Sequence, residues 1–263
     1  MSAEPQAISL GAVLSRFGRL AVAVSGGVDS MTLATFAHRT RGLAMTAIHA
    51  VSPAVPADAT RRVQELAATE GWDLKVVGAG EFDDARYRDN PVDRCYFCKT
   101  HLYHRIRLLT DDPIASGANL DDLGDYRPGL IAAAENDVVH PYVEAQMTKA
   151  DVRSLARSLG LSGIAELPAQ PCLASRIETG IAVDPDDLAF VEKAEGRLSS
   201  LAPRNATLRC RITSGGVELE LDEAAMRQRE DLSDVVRALC RDAGRNFAGV
   251  RSYRRGAMFV RQP

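Results

Sequence analysis

Apolar residues fall along the chain in short runs with two alternating rhythms. The run 20–24 is compact and apolar and stops at Ser25-Gly26-Gly27, which predicts a buried strand ending in a loop. Residues 29–37 then predict a helix, 45–51 a second strand, and 60–69 a helix ended by Gly71. Residues 74–77 predict a third strand, 94–109 carry helical periodicity, and 114–118 predict a fourth strand. A short amphipathic helix over 8–18 precedes them all. Strands alternating with helices predict an α/β fold, a parallel sheet with helices on both faces.

The rhythm changes after Pro168. Pro168, Pro171, Gly180 and Pro185 punctuate a long connection, and a helix is expected over 185–199. Residues 207–213 and 217–221 alternate as two strands around Ser214-Gly215-Gly216, a hairpin signal. One more helix is expected over 232–243 and a strand pair over 250–260. This pattern predicts a nucleotide-binding domain over 1–168 and a smaller α+β domain over 169–263.

The chain has 263 residues, 46% hydrophobic and 25% charged, enough apolar content for a packed core and too much for disorder. A net charge of -3 and a pI of about 6.0 argue against a dedicated nucleic-acid binder. Residues 1–7 lack the charged-then-apolar plan of a signal peptide, and no apolar run reaches a membrane span. A cytoplasmic protein is expected, with no membrane partner. Five cysteines, an odd number, then predict thiols or metal ligands rather than a disulfide framework.

Ser25-Gly26-Gly27-Val28-Asp29-Ser30 joins a strand to a helix. Gly26 and Gly27 permit a tight turn that brings amide N–H groups close to a phosphate, and the helix start aims its positive end there. Ser25 and Ser30 add hydroxyl donors. Asp29 carries the same sign as phosphate, so its sensible role is to hold magnesium, which in turn holds pyrophosphate. The bland alternative is a helix that merely begins after Gly-Gly with an Asp in its first turn. The string is neither a Walker A loop nor a dinucleotide fingerprint. It resembles the Ser-Gly-Gly-x-Asp-Ser loop of the ATP pyrophosphatase superfamily, which implies that ATP is split into AMP and pyrophosphate to activate a carbonyl or carboxylate oxygen.

Cys95-Tyr96-Phe97-Cys98 is compatible with zinc, redox chemistry or an iron–sulfur cluster. His101 and His104 follow at helical spacing, but a helix from 95 to 104 spans about 13 Å, too long for four ligands to close on one ion. A third thiol, Cys172, stands in Pro171-Cys172-Leu173-Ala174-Ser175-Arg176. Three cysteines, two close and one distant, suit a 4Fe–4S cluster with one iron open to carry an extra sulfide. Three reduced or buried thiols are the alternative. Cys210 and Cys240 fit strand and helix patterns and read as structural. Arg176, four residues from Cys172, is a candidate to lower a thiol pKa or contact phosphate, against the alternative of a solvated surface arginine. Arg209 and Arg211 alternate on a strand and share one face, suited to a phosphate. Glu192 and Glu195 sit a turn apart, either positioning a nucleophile or cation or facing solvent. Asp121, Asp122 and Asp125 read as magnesium ligands or as turn and cap residues.

Together these motifs resemble the LarE family, ATP-dependent sulfur transferases of nickel-pincer nucleotide cofactor biosynthesis. Further marks are Asn90-Pro91 through Lys99, Gly117-Ala118-Asn119-Leu120-Asp121-Asp122, Asp125-Tyr126-Arg127-Pro128-Gly129, Thr148-Lys149-Ala150-Asp151-Val152-Arg153, Leu208-Arg209-Cys210-Arg211 and Tyr253-Arg254-Arg255-Gly256-Ala257-Met258. The resemblance implies an ATP pyrophosphatase domain plus a C-terminal domain, in a homo-oligomer, a hexamer. It implies a pyridinium dicarboxylate mononucleotide as substrate, whose carboxylates are adenylated and converted to thiocarboxylates. The sulfur-bearing cysteine falls on Cys172, and the substrate-phosphate arginines fall on Arg209 and Arg211, with Arg254 a third candidate. ATP and Mg2+ follow from the loop, and a 4Fe–4S cluster on Cys95, Cys98 and Cys172 follows from the three-cysteine pattern, fed by sulfide or another sulfur donor. Members with one cysteine consume it instead, leaving dehydroalanine. The other reading of a loop plus cluster is tRNA thiolation, which favours a basic surface that this chain lacks. Residues 164–170 lack the tryptophan common in the family, and Arg255 and Ala257 stand where small hydroxyl residues are usual.

Overall fold

The computed structural model describes residues 4–124, 127–203, 205–254, 256 and 258. Asp125, Arg255 and Ala257 therefore lie outside the described residues, as does much of the strand pair expected over 250–260. The chain divides into two compact units, Met1–Asp83 with Cys95–Gln170, and Asp84–Arg94 with Pro171–Pro263.

In chain order the first unit runs α1 (Glu4–Leu14), β1 (Arg19–Ala23), α2 (Val28–Arg39), β2 (Ala44–Val51), α3 (Ala57–Glu70) and β3 (Asp73–Gly78). A one-turn α4 (Ala85–Arg88) belongs to the second unit. The first unit resumes with α5 (Arg94–Arg107), whose first residue ends the 84–94 segment of the second, then β4 (Ile114–Ala115), α6 (Pro128–Glu135), α7 (Pro141–Glu144), α8 (Lys149–Ser158) and α9 (Ser162–Ala165). The sheet order is β3-β2-β1-β4, all parallel, with Leu20 opposite Met45 and Ala21 opposite Ile114. Successive β1 residues face opposite sides. Leu20 and Val22 pack with α1, α2 and α8 residues, while Ala21 packs with Tyr103, Ile106 and Ala132 of α5 and α6. Helices thus cover both faces, which is why β1 is an unbroken apolar run from Leu20 to Ala23. The fourth strand stops at Ala115 rather than at residue 118. It is an edge strand paired with β1 over only two residues, and Ser116 then turns its N–H to Val139.

Two longer helices, α6 and α8, join those that apolar periodicity predicts. Each begins with a local signal. Pro128 sits in the first turn of α6, and Thr148 and Asp151 form a capping box at α8.

The second unit contains α10 (Pro185–Ser199), β5 (Leu208–Thr213), β6 (Gly216–Leu221), α11 (Glu223–Met226), α12 (Arg229–Asp242) and β7 (Phe247–Ser252). The strands form one sheet, order β5-β6-β7, with β5 and β6 antiparallel and β6 and β7 parallel. The β5–β6 turn is the hairpin marked by Ser214-Gly215-Gly216. Gly216 has φ +119, and a Cβ there would lie 2.6 Å from the Asn246 carbonyl oxygen, so glycine is required. Beyond β6 the described residues form the single strand β7 where a strand pair is expected, because the edge of β6 accepts a parallel partner reached through α12.

A buried ion pair crosses this sheet. Arg211 Nη2 lies 2.6 Å from Glu220 Oε2, and Glu220, 0% exposed, also accepts from Arg251 Nε at 3.0 Å. Removing one partner strands the other in a dry place. Glu220→Ala should therefore destabilise the protein by about 3–5 kcal/mol, whereas Arg211→Met with Glu220→Leu should recover most of that loss. Urea unfolding of the three proteins tests it. A single variant as stable as the wild type contradicts the assignment.

Candidate active site

The loop between β1 and α2 is built for close approach. Gly26 has φ +83, and a Cβ there would sit 2.7 Å from the Ala59 carbonyl oxygen of α3. Only glycine fits. Gly27 is the N-cap of α2 and supplies no side-chain cap, so the first N–H groups of that helix are left for another acceptor. The Ser25 N–H donates to Ser30 Oγ at 3.0 Å, and the two serine hydroxyls are 3.1 Å apart. The loop is thereby set before anything binds.

Three side chains of α3 and β2 brace it from outside. Arg62 Nε donates to the Gly26 carbonyl at 3.3 Å, and its Nη2 donates to Gln170 Oε1 at 2.6 Å. His49 is fully buried with Nδ1 2.7 Å from the Val24 carbonyl and Nε2 2.9 Å from Thr60 Oγ1. A carbonyl only accepts, so Nδ1 carries the proton and Nε2 takes the threonine hydroxyl's. Burial lowers the His49 pKa below its ordinary value.

Asp29, in the first turn of α2, is reached by three separate segments. Asn119 Nδ2 donates to its Oδ1 at 3.3 Å, the Lys149 ammonium pairs with its Oδ2, and the Tyr142 hydroxyl donates to its backbone carbonyl at 3.1 Å. Asn119 is 1% exposed. Burial first, and the Asp29 charge second, hold the Tyr142 phenol well above its ordinary pKa, so it remains a donor. Gly117 lets this approach happen, since a Cβ there would lie 2.9 Å from Ser30 N. Asp121 and Asp122 act as turn and cap residues. Asp121 Oδ2 accepts the Lys149 N–H at 3.0 Å, and Asp122 accepts the Asn119 N–H at 3.1 Å and pairs with Arg127 at 2.8 Å.

No disulfide joins any two of the five cysteines. Cys95 and Cys98 sit one turn apart on α5, both half-buried. Within either unit, no three His, Cys, Asp or Glu side chains gather as a metal site among the described residues. Cys172, also half-buried, precedes a short 3-10 turn, Leu173–Arg176, in the second unit. Arg176 is 4% exposed rather than a solvated surface residue. Its Nη1 donates to the Pro171 carbonyl at 2.6 Å and the Cys172 carbonyl at 3.1 Å, while Nε and Nη2 grip Glu195 at 3.0 and 2.8 Å. Glu195 also accepts the Cys210 N–H at 3.0 Å, so it faces this loop and not solvent. Burial pushes the Cys210 thiol far up, in keeping with a structural role. Arg94, buried immediately before Cys95, bonds Asn90 and donates to the Ala174 carbonyl at 2.9 Å. Arg209 is half-buried, with its guanidinium 5.9 Å from the Tyr253 ring centroid; Arg211 is engaged by Glu220, and Arg254 is exposed.

No family model matches the chain. Curated relatives do. It is 36% identical over 205 residues to the uncharacterised protein slr1717 of Synechocystis sp., covering 76% of each chain. It is 30% identical over 221 residues to the pyridinium-3,5-bisthiocarboxylic acid mononucleotide synthase of Lactiplantibacillus plantarum, covering 82% of this chain and 79% of that one. The chain belongs to the LarE family. A further relative, the uncharacterised protein MJ0830 of Methanocaldococcus jannaschii, is 24% identical over 223 residues, covering 83% and 81%.

Of the residues that the LarE resemblance and the loop single out, Ser25, Gly26, Gly27, Asp29 and Ser30 stand together in the first unit, which also holds Cys95 and Cys98. Cys172, Arg176, Arg209, Arg211 and Arg254 belong to the second. Four neighbours of the loop have no role assigned from sequence, Arg62, Asn119, Tyr142 and Lys149, although Asn119 and Lys149 fall within strings that carry the family resemblance. The Thr148–Asp151 capping box marks Lys149 as the first residue of a helix, the one local signal that points to it. Among the described residues no helix is long and apolar enough to cross a membrane.

Two predictions follow from this geometry. Gly26→Ala should keep the far-ultraviolet spectrum and lose at least about 1–2 kcal/mol of stability, because the left-handed turn alone costs that much for a residue with a Cβ. Urea unfolding of both proteins measures it. The second concerns pH. The His49 pKa is depressed in the folded state, so unfolding takes up a proton between that value and the unfolded one of 6.5. Its contribution is complete above about pH 6.5 and is lost as pH falls toward the folded value. His140, lowered by burial in the same way, adds to the effect. His49→Gln should flatten the drop in urea midpoint between pH 7.5 and 5.5, and an unchanged drop rules His49 out as its source.

Proposed function

We propose that the protein is an ATP-dependent sulfur transferase acting on a pyridinium dicarboxylate mononucleotide and making its thiocarboxylate. The observation that carries this reading is a phosphate-shaped loop, with Gly26 against Ala59 and an uncapped α2, in a chain 30% identical to a synthase of a pyridinium bisthiocarboxylic acid mononucleotide. A carboxylate is a poor electrophile. Its oxygen attacks the α-phosphorus of ATP, the bond to the bridging oxygen of the β-phosphate breaks, and pyrophosphate leaves. Sulfur then attacks the acyl carbon and AMP departs, leaving a thiocarboxylate.

The residues divide this work. Ser25, Ser30 and the opening N–H groups of α2 receive the phosphates. Asp29 offers hard carboxylate oxygens that fit magnesium, which when bound neutralises the leaving pyrophosphate. Arg176 and Ser175 hold the Cys172 carbonyl, fixing the loop that carries the thiol. Of the three arginines expected to meet the substrate phosphate, Arg209 and Arg254 offer guanidinium groups for it, while Arg211 is held by Glu220. The thiols of Cys95, Cys98 and Cys172 are soft donors of the right kind for a 4Fe–4S cluster. Such a cluster, when bound, supplies an open iron able to carry sulfur. In the competing reading, Cys172 gives up its own sulfur once, and Cys95 and Cys98 have no part.

Anaerobically prepared protein, given ATP, magnesium, sulfide and the mononucleotide, should form AMP and pyrophosphate and turn over repeatedly. Cys95→Ala should lose bound iron and repeated turnover. A Cys95→Ala protein that still makes one thiocarboxylate, with Cys172 lighter by one hydrogen sulfide, favours the sacrificial route instead. ADP as the product contradicts both.

A further inference from the structure

We propose that Lys149 is a resident counter-cation, which holds Asp29 against metal until a polyphosphate arrives and then moves onto that polyphosphate. Magnesium thus enters this site with nucleotide and not before it. The inference rests on the reading of the loop as a magnesium–ATP site.

Lys149 stands where a positive charge is least expected. It is the first residue of α8, and its ammonium meets Asp29 in the first turn of α2. Both helix starts carry partial positive charge, so a cation there is opposed by two macrodipoles and an anion is favoured. The chain fixes the backbone of Lys149 firmly. Its N–H donates to Asp121 Oδ2 at 3.0 Å, and the Thr148 hydroxyl and Asp151 carboxylate close the capping box around it. The side chain is another matter, since 36% of it is exposed and it has four rotatable bonds. An ion pair this open is broken at little cost.

Asp29 meanwhile has both oxygens occupied, Oδ1 by Asn119 and Oδ2 by Lys149. A divalent cation coming alone must displace the ammonium and leave it unpaired between two helix starts. A triphosphate removes that obstacle, because its oxygens take the ammonium and free the carboxylate for the metal that accompanies it. The same lysine then neutralises charge on the leaving pyrophosphate. A plain structural tie between α2 and α8 is the competing account, and it makes no link between Lys149 and metal affinity.

The test uses Mn2+ alone, followed by the loss of its free electron paramagnetic resonance signal, and calorimetry with Mg2+ and ATP, all on the full chain. Lys149→Met should bind Mn2+ without nucleotide about fivefold or more tighter than wild type, while its ATP dissociation constant rises about tenfold or more. Lys149→Arg keeps the charge and should stay close to wild type in both assays, which guards against a folding defect. Unchanged Mn2+ affinity in Lys149→Met overturns the counter-cation, and unchanged ATP affinity overturns the move onto phosphate. Asp29→Asn separates this inference from the reading beneath it. If Asp29→Asn still binds metal–ATP like wild type, the magnesium assignment itself falls and takes Lys149 with it.

Discussion

The Asp29 carboxylate, at the start of a helix, gathers segments that lie far apart in the chain. Asn119 reaches it after β4, Lys149 at the start of α8, and Tyr142 bonds its backbone from α7. Electrostatics explains why one carboxylate holds so much. It sits at the positive end of α2, which suits an anion, and each partner is a donor. The glycines complete the arrangement by sterics. Gly26 lets the loop press on α3, and Gly117 lets the edge-strand loop press on Ser30. A methyl group at either place would collide with the facing backbone and force the two segments apart.

The second unit answers a different problem, that of holding Cys172 on an irregular segment. Irregular backbone has carbonyls with no ladder to satisfy them. Arg176 supplies donors to the Pro171 and Cys172 carbonyls and is held in turn by Glu195, which also serves the N–H of Cys210. The chain of contacts runs from α10 through the arginine to the thiol loop and on to β5. Arg94 and Asn90 do the same work from the other side of that loop, with Asn90 donating to the Glu178 and Ile181 carbonyls at 2.9 Å. Buried arginines that satisfy carbonyls on one side and a carboxylate on the other keep the segment in one conformation without regular structure.

Charge is used differently in the two units. Around Asp29 the pairing is partly open to water and can be exchanged. Around Glu220 it is closed, with Arg211 and Arg251 both committed to a carboxylate that no solvent reaches. An exposed pair contributes little and rearranges easily, whereas a closed one is costly to break.

The sequence by itself determined the local features. Apolar runs bounded by glycine marked β1, β2 and the loop after Val24; periodicity and Pro185 marked α10; and Ser214-Gly215-Gly216 marked the hairpin. The loop Ser25 to Ser30 was legible because its chemistry is contiguous. Tertiary structure alone decided the rest. Lys149 meets Asp29 from 120 residues away and Asn119 from 90, and no periodicity carries that information. Arg176 and Glu195 read equally well as solvated residues until the packing of α10 buried them together. The attachment of residues 84–94 to the second unit has no compositional mark, since it depends on Asn90 and Arg94 finding carbonyls eighty and more residues on. Local signals arise from backbone conformation and side-chain period, which neighbours in sequence fix. Which distant charge meets which is fixed only when the sheet and its helices bring them within hydrogen-bonding reach.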